Sequence, residues 1–93
     1  MERLVIIPTY NEKENIEAII TAVMELPLEF NVLVIDDGSP DGTAAIVKGL
    51  MAKKYKDRVF LVERSGKLGL GTAYIAGFKW AIEHKAEYIF EMD

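Results

Sequence analysis

Residues 32–43 read VLVIDDGSPDGT, and this stretch decides the fold. Four apolar residues, Val32 to Ile35, run without interruption, which is typical of a strand buried on both faces of a parallel sheet. Two aspartates follow at once, and then come the turn-forming triplets Gly-Ser-Pro and Asp-Gly-Thr. The adjacent carboxylates are either spare charge in a turn or groups presented to a ligand at the end of the strand.

The apolar pattern alternates between strand and helix on both sides of this stretch. Short apolar runs predict strands at residues 4–7, 32–35, 59–62 and 88–92, the last of them buried. Helical spacing between them predicts three helices. Their core-facing sides are expected to carry Ile16, Ile19, Ile20, Val23 and Met24, then Ile46, Val47, Leu50 and Met51, then Tyr74, Phe78, Ala81 and Ile82. The order βαβαβαβ predicts an α/β fold, a Rossmann-like parallel sheet with helices on both faces.

Polar residues also predict where two helices begin. Asn11 stands three residues before Glu14, the spacing of a capping box, which predicts the start of the first helix. Asp41 is expected to cap the second helix.

Composition limits the classes of function. With 93 residues the chain forms one domain, and its 51% hydrophobic and 28% charged residues are typical of a soluble globular protein. A net charge of −4 argues against nucleic acid as a partner. No cysteine is present, which excludes disulfides and thiolate metal sites and fits a reducing, cytoplasmic location. No apolar run reaches the roughly 20 residues of a membrane span.

Polar residues follow three of the predicted strands, at residues 8–12, 36–37 and 93. In a parallel sheet these positions share the carboxyl edge, where ligands bind. Asp36 and Asp37 point to opposite faces, so at most one of them faces a given ligand. A carboxylate here suits either a hard divalent cation or the hydroxyls of a ribose and the edge of a base. Glu12 has the same possibilities, or it is a first-turn acid that favours the helix dipole.

A glycine-rich loop precedes the third helix. Gly69-Leu70-Gly71 lacks the third glycine of the dinucleotide fingerprint and follows the third strand rather than the first. Lys67 is not followed by Ser or Thr, so the loop is not a P-loop. Two interpretations stay open: a turn that starts a helix, or a loop whose backbone N–H groups and Lys67 contact a phosphate.

Together these segments resemble a known family. Residues 6–12 (IIPTYNE) and 35–43 (IDDGSPDGT) resemble the start of the family 2 glycosyltransferases, which have the GT-A fold. Residues 67–74 (KLGLGTAY), with Gly77-Phe78-Lys79 after them, are similar to the dolichol-phosphate (polyprenol-phosphate) mannosyltransferase branch.

The resemblance implies a set of site residues. It assigns Asp37 to the base and ribose of the donor, and Asp93 to the first position of an Asp-X-Asp motif that binds the donor and Mg²⁺ or Mn²⁺. Residues 1–93 would then be the donor-binding half-domain, truncated at that motif. The expected donor contacts are Pro8, Tyr10, Glu12, Ile35, Asp37 and Asp93, with loop contacts at Lys67, Gly69 and Gly71.

The resemblance also implies a reaction, the transfer of mannose from GDP-mannose to a polyprenyl (dolichyl) phosphate with inversion. The acceptor phosphate is already anionic, so no catalytic base is assigned. Membrane association would come from later segments, at the cytosolic face, and the 93-residue chain alone is expected to be inactive. The alternatives are another family 2 enzyme that uses UDP-glucose or a similar donor, and a non-catalytic nucleotide-binding fragment.

Overall fold

Four strands and three helices alternate along the chain, and the computed structural model describes residues 1–66 and 68–92. The strands are β1 (Arg3–Thr9), β2 (Asn31–Asp36), β3 (Val59–Glu63) and β4 (Tyr88–Glu91). The helices are α1 (Ile16–Met24), α2 (Thr43–Lys53) and α3 (Leu70–Glu83). The predicted α/β order is confirmed.

The sheet is parallel, with its strands in the order β3-β2-β1-β4. The chain moves outward from β1 through β2 to β3 and then returns to the other side of β1 with β4. This reversal creates a topological switch at β1, and the carboxyl ends of all four strands share one edge.

Helices cover both faces of the sheet. The side chains of β1 and β2 alternate between these faces and so contribute to a hydrophobic core on each. Odd-numbered β1 residues and even-numbered β2 residues, such as Val5 and Val32, pack with α1 and α2. Their neighbours Leu4 and Leu33 pack with α3. Burying each such side chain contributes about 1.5–3 kcal/mol, which accounts for the unbroken apolar runs.

Helix α3 packs against the sheet through a stripe of small residues. Ala73, Gly77 and Ala81 are buried at four-residue intervals, while Tyr74 and Phe78 are half-buried beside them. Ile82 was expected in the core, but this was wrong, since it is 72% exposed. The residue after Ala81 is rotated by about 100° around the helix, away from the sheet.

Strand β4 differs from its prediction. It was expected to be buried, yet every residue from Tyr88 to Glu91 is exposed. Among the described residues, β4 pairs with β1 alone and lies at the edge of the sheet. Phe90 has an edge-to-face contact with Phe30, with ring centroids 5.5 Å apart. An apolar run predicts a strand well, but it does not predict what covers that strand.

Candidate functional site

A small cleft of about 110 Å³ opens at the carboxyl edge of the sheet. Three elements form its walls: the end of β1, the residue after β2 and the start of α3. The lining residues are Pro8, Thr9, Tyr10, Asp37, Gly69 and Leu70. The fold therefore brings together four of the predicted site residues, namely Pro8, Tyr10, Asp37 and Gly69.

Asp36 is occupied by hydrogen bonds within the protein. Its Oδ1 accepts from the Thr9 and Ser39 hydroxyls, each at 2.6 Å, and its Oδ2 accepts from the Ser39 backbone N–H at 3.0 Å. The carboxylate is buried and joins the ends of β1 and β2. Asp36 is therefore the member of the aspartate pair that is engaged in the fold, with a backbone N–H among its donors.

Asp37 points to the other face, toward α3, as strand alternation predicts. It does not stand alone there, because Arg64 binds it through the Nε–Nη2 edge of its guanidinium. Arg64 Nε donates to Asp37 Oδ1 at 2.6 Å, and Arg64 Nη2 donates to Asp37 Oδ2 at 2.9 Å. The two side chains are 13% and 8% exposed. This is a bidentate, largely desolvated ion pair, the strongest class of charged hydrogen bond.

Sequence reasoning missed Arg64: its parity relative to β3 could be read from the sequence, but the register that places it beside Asp37 could not. Strands β2 and β3 are in register with Ile35 opposite Val62, so Arg64 follows as the neighbour of Asp37. Arg64 also has the same parity as Val62, which packs on the α3 side. Register and alternation together place the two charges side by side.

The motif after β2 also anchors the loop after β1. Three successive backbone N–H groups of the first loop donate to side chains of the second: Asn11 to Ser39 Oγ at 2.9 Å, Glu12 to Thr43 Oγ1 at 3.0 Å and Lys13 to Asp41 Oδ2 at 3.0 Å. The serine, aspartate and threonine of SPDGT thus satisfy backbone donors of the neighbouring loop.

These contacts explain why the predicted capping box was wrong. Helix α1 begins at Ile16 with Asn15 at the N-cap position, and no side chain caps it there. Asn11 instead adopts a left-handed conformation (φ 56°), with its N–H on Ser39.

Asp41 caps the second helix from the position before the N-cap, and not from the N-cap itself. Helix α2 begins at Thr43 with Gly42 at the N-cap, and Asp41 Oδ1 accepts from the Thr43 N–H at 3.0 Å. The Thr43 hydroxyl holds the pKa of the Asp41 carboxyl below its ordinary value. Desolvation is the second-largest effect and raises the pKa, while the backbone N–H groups of Lys13 and Thr43 each lower it by less.

The remaining predicted residues lie elsewhere or are not described. Glu12 is half-buried outside the cleft lining, and its Oε2 accepts from Asn15 Nδ2 at 3.3 Å. Ile35 is fully buried under α3, so its donor contact stays a prediction. Gly71 is exposed in the first turn of α3. Lys67 and Asp93, including the predicted metal ligand, lie outside the described residues.

A divalent metal does not fit the acids of residues 1–66 and 68–92. No three His, Cys, Asp or Glu side chains of this part of the chain come together as a metal site. At the carboxyl edge, the carboxylates of Asp36, Asp37 and Asp41 are engaged by hydroxyls, a guanidinium and backbone N–H groups respectively. The assignment of a metal to Asp93 stays a prediction.

Comparison with known proteins identifies the class. Residues 4–93 match glycosyl transferase family 2, and the chain belongs to that family. The resemblance drawn from the two loop motifs is confirmed.

The particular relatives are mannosyltransferases. The chain is 48% identical over 90 residues to a polyprenol monophosphomannose synthase of Mycolicibacterium smegmatis, covering 97% of this chain and 34% of the relative. It is 42% identical over 93 residues to an undecaprenyl-phosphate mannosyltransferase of Micrococcus luteus, covering 100% of this chain and 37% of the relative. The chain therefore spans about a third of the length of these curated relatives.

A solved structure agrees with the fold. A mannosyltransferase of Pyrobaculum calidifontis, in complex with GDP-mannose and Mn²⁺, superposes with a TM-score of 0.79 at 29% identity. The match covers 86% of this chain and 24% of that protein. None of the helices formed by the described residues is long and apolar enough to cross a membrane.

Proposed function

We propose that this chain forms the donor-binding part of a glycosyltransferase that moves mannose from GDP-mannose to a polyprenyl phosphate. One observation carries the proposal: a carboxylate, Asp37, lines a cleft beside Tyr10 at the carboxyl edge of a family 2 chain. The names of the two curated relatives support the sugar and the acceptor, and the GDP-mannose in the Pyrobaculum structure supports the donor.

The cleft suits a nucleoside. Each carboxylate oxygen has two lone pairs, so Asp37 can accept from a ligand hydroxyl or ring N–H while it stays paired with Arg64. Pro8 and Tyr10 offer flat apolar surface to a base. Gly69 and Leu70 line the cleft at the start of α3, where a helix N-terminus favours negative charge.

The reaction needs little acid–base chemistry from the protein. A phosphate monoester is largely dianionic at neutral pH, with a second pKa of about 6, so the acceptor oxygen is already a nucleophile. It forms a bond to mannose C1 as the bond from C1 to the β-phosphate oxygen breaks, with inversion, and GDP leaves with the electron pair. A catalytic base is therefore not part of the proposal.

Metal and location belong to the same proposal. A Mg²⁺ or Mn²⁺ requirement rests on Asp93, and the Mn²⁺ in the Pyrobaculum structure supports it. The acceptor is a membrane lipid and the donor a water-soluble nucleotide sugar, which supports a reaction at the cytosolic face of a membrane.

Donor profiling tests the function. The full-length gene product would be incubated with undecaprenyl or dolichyl phosphate and radiolabelled GDP-mannose or UDP-glucose, with Mn²⁺ or with EDTA. We expect GDP-mannose, but not UDP-glucose, to label the lipid phase in the presence of Mn²⁺. EDTA should abolish this labelling.

Two outcomes would contradict the proposal. Transfer from UDP-glucose instead of GDP-mannose would indicate a different family 2 enzyme. Nucleotide binding without transfer to either lipid would indicate a binding domain.

A further inference from the structure

We propose that Arg64 is a positioning residue that holds the two walls of the cleft in place for the donor nucleotide; this inference rests on the proposed function. Arg64 follows β3 and is absent from the cleft lining. It nevertheless contacts a residue of each of two walls, Asp37 after β2 and Gly69 before α3.

The first wall is held by the ion pair. Because Nε and Nη2 of Arg64 each donate to a different oxygen of Asp37, the plane of the carboxylate is fixed. The remaining lone pairs of both oxygens then have a defined direction. The guanidinium also neutralises Asp37, which would otherwise repel the diphosphate of an incoming donor.

The second wall is held by the same guanidinium. Arg64 Nη1 donates to Thr72 Oγ1 at 3.1 Å, and Nη2 donates to the Gly69 carbonyl at 3.3 Å. The Thr72 hydroxyl in turn donates to the Gly69 carbonyl at 2.8 Å. The start of α3 is thereby connected to Asp37 through one side chain.

Backbone contacts fix the base of Arg64. Its N–H donates to the Asp36 carbonyl at 2.8 Å, which extends the pairing of β3 with β2. Close by, Gly38 and Gly66 meet backbone to backbone: a Cβ on Gly38 would lie 2.6 Å from the Gly66 nitrogen. Gly38 also has a φ of 66°, so only glycine fits without strain. The two loops therefore approach closely enough for one arginine to join them.

A binding cycle in the full-length gene product tests the inference, with calorimetry of GDP as the readout. Lysine keeps the charge of Arg64 but cannot form the two-pronged contact, so Arg64→Lys should weaken GDP binding on the order of tenfold. In the transfer assay the KM for GDP-mannose should rise while kcat stays within about twofold, since ground-state and transition-state binding fall together.

The partner and control variants separate positioning from folding. Because Arg64 acts on one of the two walls through Asp37, the double variant should weaken GDP binding by less than the product of the two single effects. Arg58→Lys is the matched control. Arg58 directly precedes β3, at the opposite edge of the sheet from the cleft, and its Nη2 donates to the Phe30 carbonyl. Arg58→Lys should leave GDP binding unchanged. Thr72→Val removes one contact of Arg64 and should weaken GDP binding roughly threefold, even if Arg64→Lys does not fold.

Each result has a definite meaning. Unchanged GDP binding in Arg64→Lys and Thr72→Val, or independent effects of the two charges in the double variant, would overturn the inference while mannose transfer could persist. If Arg64→Lys weakens GDP binding but the wild-type protein transfers no mannose, the transfer function is rejected and the inference stands. Absence of GDP binding in the wild-type protein would overturn both.

Discussion

At the scale of single residues, Asp41 shows how a carboxylate can stabilise two loops at once. Its Oδ1 serves Thr43 and its Oδ2 serves Lys13, so both oxygens are required as acceptors. Asparagine has one oxygen and an NH₂ group in place of the second. The NH₂ group would face the Lys13 N–H, donor against donor.

Asp41→Asn should therefore lower the free energy of unfolding at neutral pH, and the loss should depend on pH. A carboxyl whose pKa is lowered by folding contributes stability that is complete above its unfolded pKa and disappears as pH falls through the folded value. The difference in unfolding free energy between wild type and variant should be constant near neutrality and narrow below about pH 4.

Urea denaturation across this pH range checks the prediction. A difference that stays constant or widens in acid would contradict it. In a separate NMR titration, Thr43→Val should move the pKa of Asp41 back toward its ordinary value, because it removes the largest cause of the shift.

The two adjacent aspartates show what the sequence could reveal and what it could not. Alternation along β2 separates Asp36 from Asp37, so parity alone predicts that the two carboxylates face opposite sides of the sheet. The partner of Asp37 could not be predicted, because Arg64 lies 27 residues away and pairing depends on the register of a neighbouring strand. The prediction of Asn11 as a helix cap was wrong for a related reason, because the Asn11 N–H donates to Ser39 on another loop.

At the scale of elements, the glycines of two helices have opposite roles. Gly77 of α3 lies against β1, where an added Cβ would be 2.7 Å from Ile6 Cγ2. Gly49 of α2 has open space around its Cβ position. Both positions are helical, so alanine improves helix propensity equally at each, by about 1 kcal/mol.

Gly77→Ala should destabilise the protein by about 1–2 kcal/mol, because overpacking of the branched, fully buried Ile6 exceeds the gain in propensity. Gly49→Ala is the matched control and should stabilise by about 0.5–1 kcal/mol. Urea midpoints of the two variants measure this directly. Equal shifts of the same sign would show that α3 does not pack closely on β1.

Element order was predictable because strand and helix periods differ, whereas the orientation of α3 was predicted only in part: Ala81, Tyr74 and Phe78 lie against the core as expected, and Ile82 does not. Several of its faces carry apolar residues, among them Ile75 and Ile82, which are 54% and 72% exposed. The small residues Ala73, Gly77 and Ala81 decide the orientation, since they allow the closest approach to the sheet. A hydrophobicity pattern gives weight to large residues and overlooks such a stripe.

At the scale of the whole molecule, β4 presents an apolar edge. Tyr88 is 57% exposed and Phe90 is 44% exposed. Strand edges with exposed apolar side chains pair readily with other chains. The 93-residue chain, studied by itself, should therefore associate in a concentration-dependent manner.

Tyr88→Lys should reduce that association, because a lysine on an edge strand opposes pairing. Leu28→Lys changes the charge equally at a loop residue that is 52% exposed, and it should leave association unchanged. Sedimentation velocity at several concentrations measures both. Equal association of wild type and Tyr88→Lys would place the contact elsewhere.

The three hydrogen bonds between the first and second loops have a consequence for chimeric proteins. The backbone of residues 11–13 takes its shape from Ser39, Thr43 and Asp41, and Tyr10 stands directly before it. The two loops therefore depend on each other and have to be exchanged together. A recombinant that takes residues 1–13 from one family member and residues 36–43 from another keeps its cleft only where the second parent supplies the same three acceptors.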